Sequence, residues 1–119
     1  PQGGKKHLWT GLSELYPLAK EQPDASEVGK RLLYIQALES ARCVEEGVIR
    51  PNSDADLGSI LGIGFPSWTG GALSFIDTVG LQRFVDQCDR LAERYGKRFQ
   101  PSAWLRERAE RNQTFLGGR

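Results

Sequence analysis

Leu81, Phe84, Val85, Cys88, Leu91, Ala92 and Tyr95 recur at intervals of three and four, with Gln82, Arg83, Asp86, Gln87, Asp89, Arg90, Glu93 and Arg94 between them. This is the period of an α-helix with one apolar and one charged face, and Gly96 stops it. A longer helix is predicted from about Ala25 to Glu46. Asp24 and Glu27 have the spacing of a capping box, Pro23 lies just outside, and Gly47 follows as the C-terminal cap. Val28, Leu32, Ile35 and Cys43 line one stripe of it, Leu33, Ala37 and Val44 another. Apolar residues on more than one face suggest a central, largely buried helix. Glu39 falls inside the first stripe, so its carboxylate is expected to be buried and hydrogen-bonded, in a structural role.

A shorter helix is expected over about Asp54–Leu61, capped by Ser53, with Asp54 and Asp56 in the first turn and Gly62 at its end. The run Gly62–Gly71 has four glycines, Pro66, Phe65 and Trp68, and reads as a tight loop anchored to a core by its aromatics. Another short helix spans about Ala72–Thr78 and ends near Gly80. A last one starts at Pro101, with Trp104, Leu105, Arg108 and Ala109 on its face. Residues 1–24 are punctuated by glycine and proline. They read as an extended arm that packs on the core, with one short turn around Leu12–Tyr16. No strand pattern and no internal repeat is visible. The prediction is therefore all-α: a compact bundle of about five helices with an extended N-terminal arm.

The bulk numbers agree with one domain. The chain has 119 residues, 39% hydrophobic and 26% charged, enough for one core without a metal or disulfide. No apolar run is long enough to span a bilayer. The first residues show no signal-peptide pattern, so a cytoplasmic protein is expected. Cys43 and Cys88, each in a helical pattern, read as buried free thiols. The chain has no methionine and begins with Pro1, so either an initiator methionine is removed or the chain is cut from a longer protein. Net charge is +1, but residues 80–119 hold nine Lys/Arg against five Asp/Glu, and residues 1–79 hold seven against ten. Acids interleave with bases along the basic third, which favours a solvated helix surface over an anion site.

The familiar chemical motifs fail one by one. Gly62 and Gly64 begin a dinucleotide fingerprint, but Ser67 stands in the third glycine position and Pro66 removes an amide. Asn52, Asp54 and Asp56 begin a calcium loop, but Leu57 and Ile63 occupy its glycine and its bidentate acid. The sole histidine, His7, lies in the arm, and too few His and Cys exist for a transition-metal site. Arg94, Lys97, Arg98, Arg106, Arg108 and Arg111 are diluted by Glu93, Glu107 and Glu110, which argues against nucleic acid. No catalytic, cofactor-binding or metal-ligating residue is assigned.

The stretch from Asn52 to Gly80 goes further than periodicity. An Asp-rich helix start, a Gly64-Phe65-Pro66 loop opened by Gly62, the Gly70-Gly71 pair, a short helix and Ile76-Asp77 before Val79-Gly80 resemble the C-terminal helical domain of the L-3-hydroxyacyl-CoA dehydrogenase family. The likeness is greatest to the last domain of the multifunctional α-subunits of fatty-acid β-oxidation. The helix Arg31–Gly47 and the segment Tyr95-Gly-Lys-Arg-Phe-Gln-Pro101 match that pattern too, so the resemblance covers about residues 26–115. Ser67 and Ala72 stand where the family often has proline, and Trp68 where another aromatic is common.

The resemblance implies a fold like the C-terminal domain of 6-phosphogluconate dehydrogenase. It divides the chain into an arm or linker over 1–24, the helical domain over 25–115 and a tail over 116–119. It also implies a parent enzyme that oxidises 3-hydroxyacyl-CoA with NAD, in many members alongside an enoyl-CoA hydratase domain. The family's catalytic His–Glu pair, catalytic Asn and glycine fingerprint have no counterpart here. The expected role is non-catalytic: packing against the remaining domains of the parent or a second copy, and supporting the acyl-CoA cleft. Gly62, Gly64, Phe65, Pro66, Trp68, Gly70, Gly71 and Asp77 are the expected structural loop, with Asp77 capping or hydrogen-bonding it. The alternative is a free-standing helical protein-interaction adaptor. No metal, membrane span or nucleic acid is expected in either case.

Overall fold

The computed structural model describes residues 3–117, and every described element is helical. In chain order these are α1 (Leu12–Leu15), α2 (Ala25–Glu45), α3 (Asn52–Ile63), α4 (Ala72–Val79), α5 (Leu81–Tyr95) and α6 (Ala103–Glu110). Single 3-10 turns lie at Ser67–Thr69 and Lys97–Phe99. Five of the helices form the bundle and α1 is the expected short turn, so the all-α prediction holds.

Local chemistry accounts for the ends. Asp24 caps α2, its carboxylate accepting from the Glu27 amide at 2.9 Å. At the other end Gly47 takes a left-handed φ of 71°. The Gly47 and Val48 amides then turn back onto the carbonyls of Val44 and Cys43, at 3.0 and 2.9 Å, which satisfies carbonyls the helix leaves open. Asn112 does the same for α6: it adopts φ 50°, and the Asn112 and Gln113 amides return to Ala109 and Arg108. The Ser102 hydroxyl accepts from Leu105 N–H and starts α6. The helix therefore begins two residues after Pro101, which is itself buried ahead of the cap.

The core is aromatic at its centre. Tyr34 of α2 stacks on Phe84 of α5 with centroids 4.8 Å apart. Phe75 of α4 meets both rings edge-on, and Phe65 from the loop after α3 meets Phe75 at 5.8 Å. Around them Leu38, Leu73, Ile76, Leu81, Val85, Leu91 and Leu105 are buried, each contributing roughly 1.5–3 kcal/mol by leaving water. The α5 face is the predicted one. The α2 face is so only in part: Ala37 is buried and Leu33, Ile35 and Val44 are half-buried against the core as expected, but Tyr34, Leu38 and Ala41 complete the buried line. Two alanines on that line let α4 approach closely, so the helix turns this side inward.

That rotation corrects two expectations. Leu32 is exposed, and Glu39 is not a buried polar residue: its side chain is 62% exposed and pairs with Arg42 one turn on, at 2.8 Å. A carboxylate placed at the rim can meet water and a neighbouring guanidinium, so it needs no interior partner. Over its described residues the arm is also not packed on the core. Leu8, Trp9, Leu15, Tyr16 and Leu18 all stand exposed. Gly11 and Pro17 limit its helix to four residues, too short to bury an apolar face.

Candidate functional site

The loop from Gly62 to Gly71 and its flanks hold most of the polar detail. Helix α3 starts earlier and ends later than its pattern suggests, so Gly62 lies inside it and Gly64, at φ 70°, is the left-handed cap. The Phe65 amide returns to the Ser59 carbonyl at 2.9 Å, which drives the Phe65 ring into the core. The half-buried Pro66 offers its carbonyl to the Thr69 amide and hydroxyl, at 3.1 and 2.6 Å, closing the turn Ser67–Thr69. Gly70 follows at φ 83° and Gly71 at φ 121°. Trp68 does not anchor the loop: it is 79% exposed, because the 3-10 turn carries its side chain outward while Phe65 takes the interior.

Helix α4 begins with Gly71 as its N-cap, a residue with no side chain to offer. All four amides at its start are nevertheless satisfied. Gly71 N–H donates to the Thr69 hydroxyl at 3.1 Å and Ala72 N–H to the Ser59 hydroxyl at 3.0 Å. Leu73 and Ser74 N–H donate to the Asp56 carboxylate at 2.7 and 3.1 Å, and the Ser74 hydroxyl adds a bond of 2.6 Å. Asp56 and Ser59 belong to α3, and they are the two buried polar side chains among the described residues. A neighbouring helix thus supplies the cap, and its negative charge sits at the positive end of the α4 dipole. The arrangement also explains Gly71, where an added methyl would land on the Asp56 side chain.

The far end of α4 has a matching clasp. Asp77 does not hold the loop; its carboxylate accepts from Phe115 N–H and Leu116 N–H at 3.0 Å, and the Asn52 amide donates to the Phe115 carbonyl at 2.6 Å. Phe115 packs on Trp104, and the Arg108 guanidinium lies 5.0 and 4.7 Å from the two ring centres. Asp56, Ser59, Thr69 and Asn52 are therefore structural residues that motif reasoning missed. One signal was available: a helix opening on Gly71-Ala72 needs a cap from elsewhere, and Asp56 and Ser59 lie one turn apart on the side of α3 that carries Ala55 inward.

This geometry leaves little for chemistry. A cleft of about 580 Å³ lies between the loop and the C-terminal segment, beside Ser74 and Asp77, but both side chains are already spent on the contacts above. Among the described residues no three His, Cys, Asp or Glu side chains converge as metal ligands. Burial, with Asp89 beside it, pushes the Cys88 thiol up to about 12, which holds it as the poorly nucleophilic thiol at neutral pH. Cys43 is half-buried and also free. The arginines are dispersed: Arg94 pairs with Glu27, Arg106 with Asp89 and Arg111 with Glu107. Arg98 and Arg108 lie over aromatic rings. They form no basic stripe for a phosphate backbone. No helix among the described residues is long and apolar enough to cross a membrane.

What remains unspent is apolar. Leu57, Leu61 and Ile63 of α3 are exposed, as is Trp68 after it. Beside them a groove of about 440 Å³ runs between α2 and α3, lined by Ile35, Cys43, Ile49, Ala55 and Ile63 among others. Residues 51–82 contain no Lys or Arg, and two of their three acids, Asp56 and Asp77, are the internal caps.

No protein-family model matches the chain. Individual relatives do. The fatty acid oxidation complex subunit alpha of Pseudomonas syringae pv. tomato is 42% identical over 108 residues, which is 89% of this chain and 15% of that protein. The subunit of the same name from Pseudomonas paraeruginosa is 39% identical over 105 residues, 87% of this chain and 14% of its own length. That of Shewanella halifaxensis is 37% identical over 118 residues, 96% and 17%. The chain thus spans about one seventh of the curated relatives it matches, and over that span it is similar to the C-terminal part of the fatty acid oxidation complex alpha subunits.

Proposed function

We propose that this chain is the non-catalytic C-terminal domain of a fatty-acid β-oxidation alpha subunit, the parent being an NAD-dependent 3-hydroxyacyl-CoA dehydrogenase. On this reading residues 25–115 are the domain, with the topology of the 6-phosphogluconate dehydrogenase C-terminal domain. Residues 1–24 are a linker, residues 116–119 a tail, and the parent acts in the cytoplasm. The observation that carries the reading is that, among the described residues, both buried polar side chains, Asp56 and Ser59, cap another helix, which leaves no buried polar side chain free for a substrate. NAD and acyl-CoA belong to other parts of the parent. This domain holds those parts in place, and small misplacements of catalytic groups can cost about a hundredfold in rate.

The test follows NADH formation from a 3-hydroxyacyl-CoA. The 119-residue chain alone should form none, the full-length parent should turn over, and a parent cut back before Ala25 should be strongly impaired. Turnover by the chain alone, or full turnover by the shortened parent, would sink the proposal.

A further inference from the structure

Residues 114–117 form a non-helical strap across one end of the bundle, after Asn112 has turned the chain out of α6. Side chains from three helices hold it, and their hydrogen bonds all go to its backbone. Asn52 of α3 donates to the Phe115 carbonyl at 2.6 Å, and Asp77 of α4 accepts from the Phe115 and Leu116 amides at 3.0 Å. Arg108 of α6 donates to the Thr114 carbonyl at 2.8 Å. Among the described residues none of these three side chains makes a hydrogen bond elsewhere. One side chain of the strap goes inside: Phe115 is 6% exposed, whereas Leu116 is 47% exposed and Asn112, Gln113 and Gly117 face solvent. Its ring lies 5.9 Å from that of Trp104 and 4.7 Å from the Arg108 guanidinium. Main-chain hydrogen bonds for affinity and a side-chain pocket for selectivity are the means by which a protein takes an extended peptide. Two features weaken the hold. Arg108 Nε is buried without a hydrogen-bond partner, a cost that contact with water would relieve. A single buried ring is also little to anchor four residues, and segments with few buried contacts open locally while the rest of the fold stays intact.

We propose that Asn52, Asp77, Trp104 and Arg108 form a binding site for an extended peptide with one aromatic side chain, and that the strap 114–117 is its resident, detachable ligand. The chain's own segment is the occupant rather than that of a second copy, because it reaches the site through only Asn112 and Gln113 and already fills it. So short a tether gives an effective concentration in the millimolar range, which keeps the site mostly filled even when the free segment binds only at about 0.1–1 mM. Lifting the strap bares the apolar face of Trp104, with the Asp77 carboxylate and the Arg108 guanidinium released beside it.

The experiment begins with amide hydrogen exchange, followed by NMR, in the 119-residue chain. After correction for intrinsic rates, the Phe115 and Leu116 amides should exchange at least roughly 100-fold faster than those of Phe84 and Cys88 in α5, and their rates should not respond to low urea. In a chain ending at Gln113, the peptide of residues 114–119 should shift the Trp104 indole resonance, with half-saturation at about 0.1–1 mM. The same peptide with Phe115→Ala should bind at least about tenfold more weakly, since the ring supplies the selectivity. Strap amides that exchange only at the rate of α5 overturn the proposal. So does a shortened chain that fails to fold, because the strap is then an integral part of the bundle, or one that folds and does not respond to the peptide.

Discussion

Replacing Asp56 by alanine isolates the cross-helix cap. The carboxylate holds Leu73 N–H at 2.7 Å and Ser74 N–H at 3.1 Å, and both amides belong to the first turn of α4, where no intrahelical acceptor exists. Leu73 is fully buried, so water does not replace the lost oxygen there. A buried donor left unpaired costs about 1–3 kcal/mol, and loss of a side-chain cap alone costs about 1 kcal/mol. The Ser74 hydroxyl can rotate to another acceptor and adds little. The two amides together give a loss of roughly 2–4 kcal/mol, a large share of the roughly 5–15 kcal/mol that holds a domain together. At about 4 °C per kcal/mol for a chain of this length, the unfolding midpoint should fall by about 8–16 °C. Asp56→Asn keeps an oxygen for Leu73 and should cost only about 1–1.5 kcal/mol. Urea unfolding followed by circular dichroism, with the slope unchanged between variants, measures both. A loss under about 1 kcal/mol for the alanine variant would refute the argument, because water or another side chain would then be capping α4. Equal losses for the two variants would mean that charge rather than acceptor geometry dominates.

Three further outcomes are expected. Gly71→Ala should destabilise by about 2–4 kcal/mol, because φ is 121° and the methyl meets Asp56, whereas Gly62→Ala should stabilise by about 0.5–1 kcal/mol; both are read from unfolding curves. The hydrogen bond from Arg106, at 2.8 Å, holds the Asp89 carboxyl below its ordinary range. Its contribution is therefore present above about pH 4 and lost as pH falls through the lowered value. Because both side chains are more than one-third exposed, Asp89→Asn should cost only about 0.5 kcal/mol at pH 7, less in high salt, with the difference closing in acid. In the native protein at pH 8 a thiol reagent should titrate Cys43 alone, since Cys88 at about 12 is thiolate in about one molecule in 10⁴, and urea should release the second thiol. Two thiols reacting at equal rates without urea would mean that the core opens.

Residue order alone determined the helices, because their signals are local. The three-four spacing of Leu81 to Tyr95, the Asp24–Glu27 box and Gly47 act within one or two turns of chain, so α2, α4 and α5 are legible within a residue or so of their ends. The Gly64-Phe65-Pro66 and Gly70-Gly71 pattern was legible for the same reason: positive φ and a buried ring are demands on single positions. Tertiary structure decided the rest, wherever a group's partner lies far along the chain. Which face of α2 turns inward depends on how closely Ala37 and Ala41 let α4 approach, and that choice put Glu39 in water. Asp56 looks like an ordinary first-turn acid until α4 is placed with Leu73 N–H against it, and Asp77 meets Phe115 only across 38 residues of chain. On α3, too, packing decided the outward face: Asp56 and Ser59 needed the interior to reach α4, so Leu57 and Leu61 were left outside.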